Sequence, residues 1–179
     1  MRTIILDPLP KEIAAFVERR RALGQDTYDE VWDGVYHMAP APSGEHAALQ
    51  HTLSEMLGVI ARRVGLTPSG PFNLGDPNDY RVPDLGYHRA PPRGAWVPTA
   101  AVVVEILSPG DETFEKFGFY AAHDVDEIVV ADLSTQTMRC WHLVSSGYRE
   151  QEGSAVLDVD MRALGEAIEW PREPDTGRE

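Results

Sequence analysis

Cysteine is nearly absent. The chain has one, Cys140, so no disulfide can form within it. A single thiol fits a reducing compartment, and a cytoplasmic protein is the expectation. No run of about 18 apolar residues exists, which excludes a membrane-spanning helix. The stretch from Met1 to Pro8 is too poor in apolar residues to read as a signal peptide. Positive charge is scarce as well: 16 Lys and Arg stand against 29 Asp and Glu, a net charge of −13. That balance gives no long-range steering toward a polyanion, so a nucleic-acid partner would need a local basic surface or bound cations. The arginines gather only modestly, at Arg19-Arg20-Arg21, Arg62-Arg63 and Arg89 to Arg93. A Cys pair for zinc, a Gly-rich phosphate loop and a nucleophile elbow are all missing.

What is present is ordinary globular material, 42% hydrophobic and 25% charged over 179 residues, enough to bury a core without staples. The expectation is a single domain over residues 1–170 and a mobile polar tail over 171–179. The spacing of Ile13, Phe16, Val17 and Leu23 predicts a helix from Pro10 to Leu23. Alternation around Asp33-Gly34 predicts a β-hairpin over Tyr28 to Met38. Ser43 reads as the N-cap of a long helix carrying Leu49, Leu53, Met56, Leu57, Ile60 and Val64 on one stripe, ended by Gly65. A short strand and a turn at Gly75-Asp76-Pro77-Asn78 come next, then a strand from Arg81 to His88. Ala100 to Leu107 is apolar on both faces, as a central strand is. Asp111 could cap a helix with Phe114, Phe117, Tyr120 and Ala121 on one side, leading to an apolar strand from Glu127 to Leu133. Strand, helix, strand suggests a right-handed parallel crossover. Thr137 to Leu143 and Tyr148 to Gln151 read as a meander, and Ala155 to Val159 as a last strand.

Two carboxylates stand out. Glu105 interrupts the apolar run Val102-Val103-Val104-Glu105-Ile106-Leu107, and an ionised carboxylate is not buried without a partner. Asp84 follows Pro83 and would lie on an adjacent strand, able to point into the same cleft. Two such acids can hold a hard divalent cation, Mg²⁺ or Mn²⁺, which polarises a phosphate and acidifies an attacking water. The bland alternative puts Asp84 in a surface turn and pairs Glu105 with a buried base. Lys116, eleven residues after Glu105, falls at the edge of the next helix's buried face, where it could orient a water or remain a solvated lysine. His46 shares the Leu49 and Leu53 stripe and faces inward, and Tyr120 reads as a core aromatic with its hydroxyl at the rim; both are accessory candidates. His37, His51, His123 and His142 form no ligand spacing.

In order and spacing, these pieces resemble the Uma2 family of restriction-endonuclease-like proteins, a branch of the PD-(D/E)XK nuclease superfamily. The resemblance runs from Tyr28 to Leu143. It is carried by Glu30-Val31-Trp32-Asp33-Gly34-Val35-Tyr36, His46, Pro83-Asp84-Leu85, Val104-Glu105-Ile106-Leu107-Ser108-Pro109, Glu115-Lys116, Tyr120 and Val125-Asp126-Glu127. It implies an α/β fold with a restriction-endonuclease-like core, a mixed β-sheet flanked by helices. It also implies Asp84 and Glu105 as metal ligands and a divalent metal as cofactor. The chain departs from the superfamily's acid-x-lysine motif, having Leu107 where the lysine would stand; Lys116 on the next helix could supply the amine.

Two readings follow. One is a Mg²⁺-dependent endonuclease acting on nucleic acid, DNA ahead of RNA, through Asp84, Glu105 and Lys116. The other is a catalytically degenerate module that keeps the fold, binds or self-associates, and forms a homodimer. The charge of −13 and the residue at Leu107 favour the second.

Overall fold

The computed structural model describes residues 2–4, 11–108, 110 and 112–171. Asp111, expected to cap a helix, and the segment 172–179 lie outside the described residues. The elements run β1 (Arg2–Ile4), α1 (Lys11–Ala22), β2 (Glu30–Trp32), β3 (Val35–Met38), α2 (Gly44–Arg63), β4 (Thr67–Ser69), β5 (Asn73–Asp76), β6 (Asp79–Arg81) and β7 (Leu85–His88). After β8 (Trp96–Val97) and β9 (Val102–Leu107) come a 3-10 turn (Thr113–Lys116), α3 (Phe117–Ala122), β10 (Glu127–Asp132) and β11 (Thr137–Val144). The chain continues through β12 (Gly147–Gln151), β13 (Gly153–Ser154), β14 (Val159–Asp160) and α4 (Met161–Ala167).

Among the described residues the strands form two six-stranded sheets, ordered β1-β3-β2-β6-β5-β8 and β12-β11-β10-β9-β7-β4, and a two-stranded pair, β13-β14. The second is the expected mixed sheet: β9 and β10 are parallel, with Val104 opposite Val129, and β7 and β11 flank them antiparallel. Alternation along β9 divides its side chains between two cores. Val102, Val104 and Ile106 pack with Leu49, Leu53, Leu57 and Ala61 of α2 and with Met161, Leu164 and Ile168 around α4. Val103 packs on the other face with Tyr120, Val125, Ile128 and Val130. Glu105 is two residues on from Val103, so the same alternation turns it toward Tyr120. A third cluster, Val17, Val31, Tyr36, Tyr80 and Val82, joins α1 to the first sheet.

Local sequence explains most boundaries. Asp33 and Gly34 both have positive φ, 48° and 80°, the geometry of a two-residue hairpin turn. Ser43 caps α2 by accepting the His46 amide at 3.3 Å. Three expectations need correction, and one helix was not foreseen. The strand read from Arg81 to His88 is two strands in different sheets, because Pro83 has no N–H to give a ladder. The helix read through Phe114 begins as a 3-10 turn, and Phe114 is exposed, its ring against Phe117 and Trp141. The strand read from Ala155 to Val159 is a turn between β13 and β14. That turn exists because the Glu127 carboxylate takes the amides of Ala155 and Val156, at 2.9 and 3.2 Å, and the Ser154 hydroxyl. Helix α4, unforeseen, starts where Asp160 accepts the Ala163 amide at 2.7 Å. No helix among the described residues is long and apolar enough to cross a membrane.

Candidate active site

The two sheets meet at Pro83 and Asp84, where the chain leaves β6 in one and enters β7 in the other. Leu85 stands opposite Val104 in the antiparallel β7–β9 pair, so one further step brings Asp84 abreast of Glu105. The Ile106 amide donates to Asp84 Oδ2 at 2.8 Å. His46 reaches the other oxygen from the first turn of α2, Nε2 lying 2.8 Å from Asp84 Oδ1 and Nδ1 lying 3.1 Å from Ser108 Oγ. A carboxylate only accepts, which assigns the proton to Nε2 and lets Nδ1 accept from the Ser108 hydroxyl. Gln50, one turn further along α2, holds the Asp84 carbonyl at 2.8 Å.

Glu105 is 3% exposed and Lys116, last residue of the 3-10 turn, is 5% exposed. Lys116 was expected at the edge of a helix face; the tighter turn instead carries it fully inside. Its ammonium donates to Glu105 Oε1 at 3.1 Å and Oε2 at 3.3 Å, and the Tyr120 hydroxyl donates to Oε1 as well. Glu105 is thus paired with a buried base and also lies abreast of Asp84. Lys116 has a second partner, Glu30 of β2, whose Oε1 lies 3.0 Å from Nζ. Glu30 also accepts the Val82 amide at 2.8 Å and the Trp32 indole N–H at 2.6 Å.

Glu30 is the site residue that sequence reasoning missed. A weak signal exists, since Glu30 and Trp32 share one face of a strand while Val31 fills the core, but the partner that gives Glu30 its meaning is remote in the chain.

The groups line a cleft of about 340 Å³, together with the connector Ala39-Pro40-Ala41-Pro42 and Glu112. Among the described residues, Lys116 is the only lysine or arginine lining it. Burial first, with Asp84 and Glu30 adding, pushes the Glu105 carboxyl up to about 8 against the opposing pull of Lys116 and Tyr120. Burial lowers the Lys116 amine, but Glu105 and Glu30 outweigh it and hold the group above its ordinary value as an ammonium. Burial raises the Tyr120 hydroxyl well above its usual range, so it acts as a donor. Three carboxyl groups, Glu30, Asp84 and Glu105, lie around one ammonium, and Asp84 and Glu105 offer hard oxygen donors. The donor chemistry therefore fits a divalent cation, although no group of three His, Cys, Asp or Glu is arranged around one point among the described residues.

A larger hollow, about 770 Å³, lies beside Glu127, Arg139, His142 and Glu150. Two of its acids are already engaged, Glu150 by Arg139 at 2.7 Å and Glu127 by the 154–156 turn.

The profile of the family Uma2, described as "putative restriction endonuclease", matches residues 17–169. Among solved structures, a protein from Anabaena variabilis ATCC 29413 described as "a putative nuclease belonging to DUF820" superposes with a TM-score of 0.58 at 16% identity. The match covers 70% of this chain and 78% of that one, and at this identity it speaks to the fold. No curated protein matches.

Proposed function

The chain belongs to the Uma2 family, and on that premise we propose that it is a metal-dependent endonuclease that hydrolyses phosphodiester bonds of DNA in the cytoplasm. The observation that carries the reading is the convergence of Asp84, Glu105 and Lys116 on one cleft from three separate elements. Asp84 and Glu105 would hold Mg²⁺ or Mn²⁺. When bound, such an ion polarises the phosphate and lowers the pKa of water.

The chain's own groups do the rest. His46 and the Ile106 amide fix both oxygens of Asp84, so its carboxylate is presented in one orientation. Tyr120 holds one oxygen of Glu105, Oε1. Lys116 supplies a fixed positive charge at a buried position, where it can donate to the attacking water or to a phosphate oxygen as negative charge develops. The amine absent at Leu107 is thereby provided from the turn after β9. The buried pairing leaves the ammonium no freedom to drift, which favours a catalytic use over a solvated lysine.

A second reading has an observation in its favour. With Lys116 shared between two carboxylates and no other lysine or arginine lining the cleft among the described residues, the site attracts cations better than phosphates. A self-associating module that binds metal without hydrolysis would look the same. Calorimetric titration of Mn²⁺ into wild type, Asp84→Ala and Glu105→Ala tests the metal assignment. Uptake by wild type that both variants lose supports it; equal behaviour of all three refutes it.

A further inference from the structure

We infer that Glu30 is a positioning residue for Lys116, anchoring the ammonium from the first sheet so that Glu105 is free to ligate a cation. The inference rests on the nuclease reading above and adds a residue that the reading does not assign. Glu30 is the one carboxylate at Lys116 that arrives from the other sheet, on β2, beside the turn at Asp33-Gly34. Its head is fixed before Lys116 is considered. Oε2 takes the Trp32 indole N–H at 2.6 Å and Oε1 takes the Val82 amide at 2.8 Å. Trp32 is in turn pinned, stacked on His37 at 4.5 Å with the Arg81 guanidinium 4.5 Å from its ring. The remaining capacity of Oε1 goes to Lys116 at 3.0 Å, while Nζ lies 3.1 Å from Glu105 Oε1.

The ammonium is thus divided between a rigid anchor and a candidate metal ligand. Held by Glu105 alone, it would compete with every cation for that carboxylate. With Glu30 as a second anchor, it stays in the cleft whether or not Glu105 is occupied. The two N–H donors on Glu30 also explain why this acid aims at Lys116 rather than serving as a third ligand.

The test is a double-mutant cycle in Mn²⁺ binding, read by calorimetry at fixed pH and salt on wild type, Glu30→Gln, Lys116→Met and the double variant. Each is first shown to be folded by circular dichroism, with Lys116→Gln replacing Lys116→Met where the latter does not fold. Glu30→Gln is expected to weaken Mn²⁺ binding roughly fivefold or more when Lys116 is present, the scale of coupling between touching charges. In the Lys116→Met background it should change nothing. Equal weakening in both backgrounds, or none in either, overturns the inference, because a merely structural or long-range electrostatic role does not depend on Lys116. If wild type takes up no Mn²⁺, the metal reading fails by itself. The same four proteins then decide the anchoring in urea melts, where non-additive losses sustain it and additive losses refute it.

Discussion

Replacing Lys116 by Met removes the buried ammonium, keeps an unbranched chain, and leaves Glu30 and Glu105 without the cation they share. Removing one partner of a buried ion pair costs about 3–5 kcal/mol, against a total stability of about 5–15 kcal/mol for an ordinary domain. The cost should depend on pH in a definite direction. Glu105 already titrates at about 8 with Lys116 beside it, and without Lys116 it titrates higher still. A carboxyl raised on folding contributes stability that is whole below the unfolded value, where both states hold the proton, and that is lost progressively as pH rises from there to the folded value. In wild type it is spent near pH 8; in the variant it goes on falling, by about 1.4 kcal/mol per pH unit. Lys116 itself, held above its ordinary value, stays charged throughout and adds no slope. Urea unfolding of both proteins between pH 6 and 9 should therefore show a deficit that widens above pH 8, and Glu105→Gln in the Lys116→Met background should flatten it. A deficit under about 1 kcal/mol, or one that does not change with pH, would mean that Lys116 is not what balances Glu105.

Glu127→Ala strips the acceptor from the Ala155 and Val156 amides and the Ser154 hydroxyl; thermal melts should show a loss of about 2–4 kcal/mol, with amide protection lost at 154–157 and kept in α2. Gly75 has φ +121° and a Cβ there would lie 2.3 Å from the Asp79 carbonyl oxygen, so Gly75→Ala should cost about 2 kcal/mol or more in the same assay; an unchanged midpoint would refute that account of the β5–β6 hairpin.

Sequence reasoning reached the elements whose local and tertiary demands agree. Val102 to Leu107 and the strand starting at Glu127 are apolar on both faces because both are buried on both faces, and their parallel pairing follows from the connection between them. Asp33-Gly34 and Ser43 are local devices, visible without knowledge of the rest of the chain. Asp84 and Glu105 were expected on adjacent strands, but that they come abreast depends on the register that sets Leu85 opposite Val104, which no local pattern displays. Where distant groups override local pattern, the reading fails. Ala155 to Val159 is apolar at all but Asp158, as a buried strand is, yet the Glu127 carboxylate draws its amides into a turn and Asp158 takes a φ of 55°. Glu30 looks like any polar strand residue until Lys116 is folded against it. The depth of Lys116 depends on a 3-10 turn that side-chain periodicity cannot distinguish from the first turn of a helix.

The most direct test of the central claim is cleavage of supercoiled plasmid by the purified protein in Mg²⁺ or Mn²⁺, with and without EDTA, alongside Asp84→Asn and Glu105→Gln. Nicking or linearisation by wild type that EDTA abolishes and both variants lack is the predicted result. No cleavage by wild type in either metal, or cleavage of equal rate by the variants, would contradict it.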